Sequence, residues 1–154
     1  MGITLKELGR FDEAEASYKQ AIALKPNFAE AHSNLGTTLH ELNRFDEAEA
    51  SYKQAIALRP DYVTTHSNLG NTLQELERFD EAEASYKQAI ALKPDFAEAH
   101  SHLGIALNAM GLKEVALKHF ERNLQLTRGL NPVDLYHKSC LLYTSDAADE
   151  VRGV

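Results

Sequence analysis

The stretch Arg10-Phe-Asp-Glu-Ala-Glu-Ala-Ser-Tyr-Lys-Gln-Ala-Ile-Ala-Leu24 returns letter for letter as Arg44 to Leu58 and as Arg78 to Leu92, offset by 34 residues each time. A fixed period of this size marks stacked supersecondary units, each contacting only its neighbours, rather than one central core. In the second copy Phe45, Ala48, Tyr52, Ala55 and Ile56 fall at helical spacing. Upstream of it Ala31, Leu35, Leu39 and Leu42 form another apolar stripe. Each unit therefore reads helix, turn, helix. Asn43-Arg44 supplies the turn, and Gly9 and Gly111 occupy the matching place, where glycine suits a helix C-terminus that needs a left-handed residue. Pro60 stops the second helix because its ring cannot continue the hydrogen-bond ladder. Asp46 and Glu47 put negative charge in the first turn, where it complements the helix dipole. Asp95 with Glu98, and Asn27 with Glu30, read as capping boxes at the next helix start. Gly36, Gly70 and Gly104 on the first helices, with Ala48, Ala82 and Ala116 and Ala21, Ala55 and Ala89 on the second, mark places of close helix approach.

The repeat divides the chain into a partial unit at 1–28 and complete units at 29–62, 63–96 and 97–130. Met1 aligns with Leu35, so the first helix of the first unit reads as cut in half, and the chain reads as a fragment of a longer reading frame. The fourth unit drifts, with Lys113, Asn123 and Arg128 standing where the others have Phe, Ala and Pro. Asn123 is expected on the face that would meet another repeat, which ends the regular array. Asn131-Pro132 then reads as a fresh helix start, so that 131–139 open a capping helix or a further domain. Residues 140–154, beginning Cys140-Leu-Leu-Tyr-Thr-Ser-Asp, resemble the conceptual translation of a sequencing adapter. They are expected to be a non-native tail with no repeat-like packing.

Composition sets outer bounds. The 154 residues are 44% hydrophobic and 25% charged, with a net charge of −7. That balance argues against nucleic acid as a partner. No apolar run is long enough to span a membrane, and the N-terminus carries no secretory pattern. Cys140 is the only cysteine, which excludes an internal disulfide and points to a reducing, cytoplasmic setting.

Leu35, Gly36, Ala48, Tyr52, Ala55 and Pro60, with the period itself, closely resemble the tetratricopeptide repeat, and the resemblance runs from residue 1 to about 128. It implies an all-α, right-handed solenoid of antiparallel helix pairs, about three and a half repeats long. First helices would line a concave groove that binds a protein or peptide. Carried over by alignment, the groove would hold Ser33, Asn34, Thr37, His40 and Glu41. The third unit would add Ser67, Asn68, Asn71, Gln74 and Glu75, and the fourth Ser101, His102, Ile105 and Asn108. Asn34 and Asn68, with His102 next in line, resemble the asparagine ladder in the repeat domain of O-linked N-acetylglucosamine transferases. An asparagine amide both donates to and accepts from a peptide backbone. Co-chaperones of this family clamp a C-terminal carboxylate with Lys and Arg. Glu30, Ser33, Thr64, Ser67, Glu98 and Ser101 stand in the equivalent places and offer no cation.

Other chemistries find little support. His32, His66 and His100 recur one period apart, about 10 Å in a helix stack. Zinc needs its ligands about 2 Å away, so these histidines read as packing residues that hold no metal. Ser17, Ser51 and Ser85 have no histidine nearby in the repeat, and no glycine loop is built for phosphate. The Asp-Glu-Ala-Glu runs read as a solvated face. The expectation is a non-enzymatic interaction module without cofactor, open to end-to-end self-association. The rival readings are the substrate-recruiting arm of a larger enzyme and a structural spacer.

Overall fold

The computed structural model of the chain describes residues 2, 9–127, 133 and 135–142. The helices are α1 (Phe11–Leu24), α2 (Ala29–Glu41), α3 (Phe45–Leu58), α4 (Val63–Glu75), α5 (Phe79–Leu92), α6 (Ala97–Ala109) and α7 (Lys113–Leu126). No strand occurs among the described residues. Each helix packs on the next along the chain, and α2, α4 and α6 also touch one another in succession. That contact draws the first helices of the units together, so they form the inner face of a solenoid and α1, α3, α5 and α7 form the outer face.

A ring pressed against a helix backbone sets the distance within each pair. A Cβ added at Gly36 would lie 2.8 Å from the Tyr52 ring, one at Gly70 2.5 Å from the Tyr86 ring, and one at Gly104 2.5 Å from the Phe120 ring. The rings are fully enclosed, with Tyr52 only 1% exposed. Leu35, Leu39, Leu69, Leu73, Leu103 and Leu107 surround them, and Ala14, Ala48, Ala82 and Ala116 are buried in the same core. The close approaches anticipated from the sequence are therefore present.

The turns follow the sequence at one end of each unit and depart from it at the other. Asn43 and Glu77 adopt φ 57° and 58°, and Gly9 and Gly111 adopt 70° and 81°. The N–H of Arg44 donates to Leu39 O and that of Asn43 to His40 O, the paired bonds of a Schellman motif. Glu77 is the misfit, a long side chain in a region that favours Gly or Asn. At the other junction the capping boxes are absent. Helices α2 and α6 begin after Phe28 and Phe96, and neither start has a side-chain cap. Pro26-Asn27 and Pro94-Asp95 instead form the centres of β-turns, closed by Phe28 N–H to Lys25 O at 3.1 Å and Phe96 N–H to Lys93 O at 3.0 Å. Proline favours the first central position of such a turn. That choice moves Asn27 and Asp95 one residue too early to act as caps. Lys25, Arg59 and Lys93 lie over the rings of Phe28, Tyr62 and Phe96 at 5.2, 4.5 and 5.7 Å.

The acidic runs of the outer helices are not simply a solvated face. Glu15 and Glu49 are only 9% and 8% exposed. Arg44 Nη1 donates to Glu15 Oε2 at 2.7 Å and Arg78 Nη1 to Glu49 Oε2 at 2.6 Å, so each arginine clasps the preceding unit. The same guanidinium groups fork onto Glu47 and Glu81. Lys19 and then Arg44 hold the Glu15 carboxyl below the usual carboxylate range, against the opposing effect of burial. Leu112 takes the arginine's place in the last unit.

The C-terminal end also differs from expectation. Asn123 does not face outward but is buried, and its Nδ2 donates to Ala97 O within its own helix pair. Residues 135–142 are helical, Leu141 is 8% exposed within the core cluster, and His137 stacks on Phe120 at 5.2 Å. The helix continues through residue 140 to 142 and covers the last repeat. Asn131, Pro132 and 143–154 lie outside the described residues.

The Gly70–Tyr86 approach gives a direct test. Gly70→Ala should lower the urea midpoint by the equivalent of about 1–3 kcal/mol, the usual range for overpacking. Gly9→Ala, at a glycine with no atom within 4 Å of the added carbon, should show only the smaller strain of its left-handed φ.

Candidate functional site

The inner face presents residues from α2, α4 and α6. Since a helix turns 3.6 residues per revolution, neighbours in sequence point about 100° apart. Ser33 and Asn34 therefore cannot share a surface. Ser33 is buried and its Oγ lies 2.8 Å from Thr65 Oγ1 on the next inner helix. Ser67 and Ser101 are buried in equivalent places. These three candidate residues sit in the seam between inner helices rather than in the groove.

His40 belongs partly to that seam. Its Nδ1–H donates to Thr72 Oγ1 at 2.9 Å, and the Thr72 hydroxyl donates onward to Asn68 O at 3.1 Å. Its ring also meets the edge of Phe45 at 5.2 Å. Thr37, His40, Glu41, Asn68 and Asn71 nevertheless line a single concavity of about 120 Å³, with Tyr52 as the remaining wall. Tyr52 was legible in the sequence only as a core ring. Its hydroxyl passes between the helices and donates to Thr37 Oγ1 at 3.1 Å, as a buried tyrosine requires. Burial, with Glu41 adding to it, pushes that hydroxyl up to about 12.

One unit further on, Tyr86 OH donates to Asn71 Oδ1 at 2.8 Å, and Gln74 Oε1 lies 3.3 Å away. His102 Nδ1–H donates to the same Asn71 oxygen at 2.5 Å and meets Tyr86 edge-on at 5.9 Å. Asn71 is thus held from two sides. Asn34 opens into a second concavity, of about 300 Å³, with Ser17, Tyr18, Phe28 and Glu30. Gln74, Glu75, Ser101, His102 and Asn108 line neither hollow. Among the described residues, the side-chain amides of Asn34 and Asn68 form no hydrogen bond within the protein. Both are half-buried.

The recurring histidines are structural. His32, His66 and His100 each donate Nε2–H to the carbonyl of the proline six residues earlier, at 2.8, 2.8 and 3.0 Å. His100 Nδ1 is then left as an acceptor, and His119 stacks on it with Nδ1 to Nδ1 at 3.1 Å. Burial, then the nearby His100 and Lys87, pull His119 below its ordinary value, opposed weakly by Glu83.

Three family models match the chain, as Tetratricopeptide repeat over residues 28–95, TPR repeat over 2–43 and Tetratricopeptide repeat over 67–129. The chain belongs to the tetratricopeptide-repeat family. Among solved structures it is similar to the Pseudomonas aeruginosa protein pilF (TM-score 0.87, 24% identity, covering 99% of this chain and 69% of that one). It is also similar to YrrB, described as a TPR protein with an unusual peptide-binding site (0.79, 21%, covering 94% and 74%). A third is the first TPR of Spaghetti (RPAP3), bound to the HSP90 peptide SRMEEVD (0.75, 24%, covering 77% and 93%). No curated protein sequence matches the chain. No helix among the described residues is long and apolar enough to cross a membrane.

Ser67 Oγ is buried without a hydrogen-bond partner, because Ala99 stands where Thr65 serves Ser33. Ser67→Ala should raise the urea midpoint by the equivalent of about 1 kcal/mol, whereas Ser33→Ala should lower it, since an orphaned buried hydroxyl costs more than an absent one. The fold favours neutral His119. Its contribution is therefore complete above the ordinary value of 6.5 and is lost as pH falls below it. Thermal midpoints should drop as pH falls below the ordinary histidine value of 6.5, and His119→Gln should flatten that segment of the curve.

Proposed function

We propose that the chain is a protein-interaction module that holds an extended peptide in the groove formed by α2, α4 and α6. The observation that carries this reading is the pair of unbonded amides. Asn34 and Asn68 are equivalent positions one repeat apart; Asn68 lines the hollow it shares with Thr37, His40 and Glu41, and Asn34 lines the hollow between α1 and α2. Thr37, Asn71 and His40 are committed to internal bonds, so these two asparagines remain to meet a ligand. An amide that donates and accepts matches the alternating N–H and C=O of an extended backbone. The peptide-binding descriptions of YrrB and of the Spaghetti repeat support the same class of function. In this reading the array spans 1–130 and works without metal or cofactor. It needs no catalytic group of its own.

The test is a peptide-array screen, followed by titration of the hits against native protein and the double variant Asn34→Ala/Asn68→Ala. At about 0.5–1.5 kcal/mol per lost hydrogen bond, affinity should fall about tenfold. Equal affinity for both proteins overturns the reading.

A further inference from the structure

We propose that this groove selects basic extended segments, with Lys or Arg side chains three residues apart, and rejects acidic ones. The inference rests on the groove reading above and adds the chemistry of the partner. Helices α2, α4 and α6 carry Glu30, Glu41, Glu75 and Glu98 and contain no Lys or Arg. Among the described residues none of these four carboxylates forms an ion pair. The outer helices behave oppositely, since Glu15, Glu47, Glu49, Glu81 and Glu83 are each paired with Arg or Lys. The cations of the array therefore lie outside the inner helices, which carry carboxylates alone.

The unpaired carboxylates also stand close to the groove floor. Glu41 lines the same hollow as Asn68 and the Tyr52 ring. Glu41 acts on the Tyr52 hydroxyl, and Glu75 and Glu98 both act on the Tyr86 hydroxyl, in each case adding to the larger effect of burial. A concave, low-dielectric wall lined by one sign of charge concentrates the field over the groove. Like charges brought against it meet repulsion, which excludes acidic peptides of the kind bound by the Spaghetti repeat. Glu41 and Glu75 are equivalent positions, about 10 Å apart in a helix stack. A chain in the extended polyproline II conformation advances about 3.1 Å per residue with three residues per turn, so three residues span one repeat and every third side chain faces the same way. A peptide whose backbone meets Asn34 and Asn68 then presents every third side chain to the same flank, where the glutamates lie.

The experiment uses fluorescein-labelled peptides about nine residues long, with lysine, glutamine or glutamate at every third position and Ser or Thr between. They are titrated against the full chain near neutral pH. The lysine peptide should bind about tenfold or more tighter than the glutamine peptide. Its advantage should shrink severalfold as NaCl rises from about 50 to about 300 mM, where the Debye length falls below the charge spacing. Glu41→Gln/Glu75→Gln should remove most of the preference. Asp46→Asn/Asp80→Asn, which changes net charge equally on the outer helices, should leave it in place. Equal binding of lysine and glutamine peptides overturns the proposal, as does an outer-helix variant that acts as strongly as the groove variant. If those peptides bind equally and Asn34→Ala/Asn68→Ala still weakens both, charge selection fails while the groove reading stands. If neither pair of groove variants alters any binding, both readings fail.

Discussion

The structure depends on one contact repeated along the array, an aromatic ring laid against the backbone of the first helix where only glycine leaves room. Gly36 with Tyr52, Gly70 with Tyr86 and Gly104 with Phe120 fix the separation of each helix pair. The same contact decides where the ring's polar end emerges. The Tyr52 and Tyr86 hydroxyls reach through to the inner face and hold Thr37 and Asn71. Core and groove are in this sense one device. The fourth unit shows the coupling by its loss. Phe120 has no hydroxyl, and Ile105 stands in place of the hydrogen-bonding Thr37 and Asn71. The polar floor of the groove ends where the hydroxyl does.

Neighbouring units are joined by two polar seams on opposite sides of that core. On the outer side Arg44 and Arg78 reach back to Glu15 and Glu49. On the inner side Ser33 meets Thr65, and His40 meets Thr72. Buried charges destabilise unless paired and hydrogen-bonded, and each buried glutamate here has both an arginine and a lysine. The joint before the last unit lacks the arginine, and Ser67 lacks its hydroxyl partner. The third and fourth units are therefore joined with less polar support, and the helix at 135–142 covers the far side of the fourth.

The period, the helix pairs and the glycine contacts were legible in the sequence because each is a local signal repeated at fixed spacing. Gly9 and Gly111 as left-handed terminators were legible for the same reason. The capping role given to Asn27 and Asp95 failed because Pro26 and Pro94 draw those residues into a turn. Burial of Glu15 was not readable, since its arginine lies 29 residues away and is brought close only by stacking. The inner face was legible in part. Asn34, Asn68 and Glu41 line hollows between the helices. Ser33, Ser67 and Ser101 lie one helical step away and turn into the seam. Tyr52 was missed because its ring is core and only its oxygen reaches the inner face.

The outer-helix block is identical in three units, and so are the residues through which Arg44 and Arg78 engage the units before them. A whole unit inserted between the second and third would therefore find a matched surface on each side. Growth of such an array by duplication requires no new joint to evolve. It lengthens the inner track by one step and adds one more asparagine and one more glutamate. Sequence change is then free to gather on the first helices, where the copies differ, while the second helices stay interchangeable. Under the proposed groove reading, the length of a bound segment and its pattern would be set by different parts of the same unit, copy number for the first and inner-helix sequence for the second.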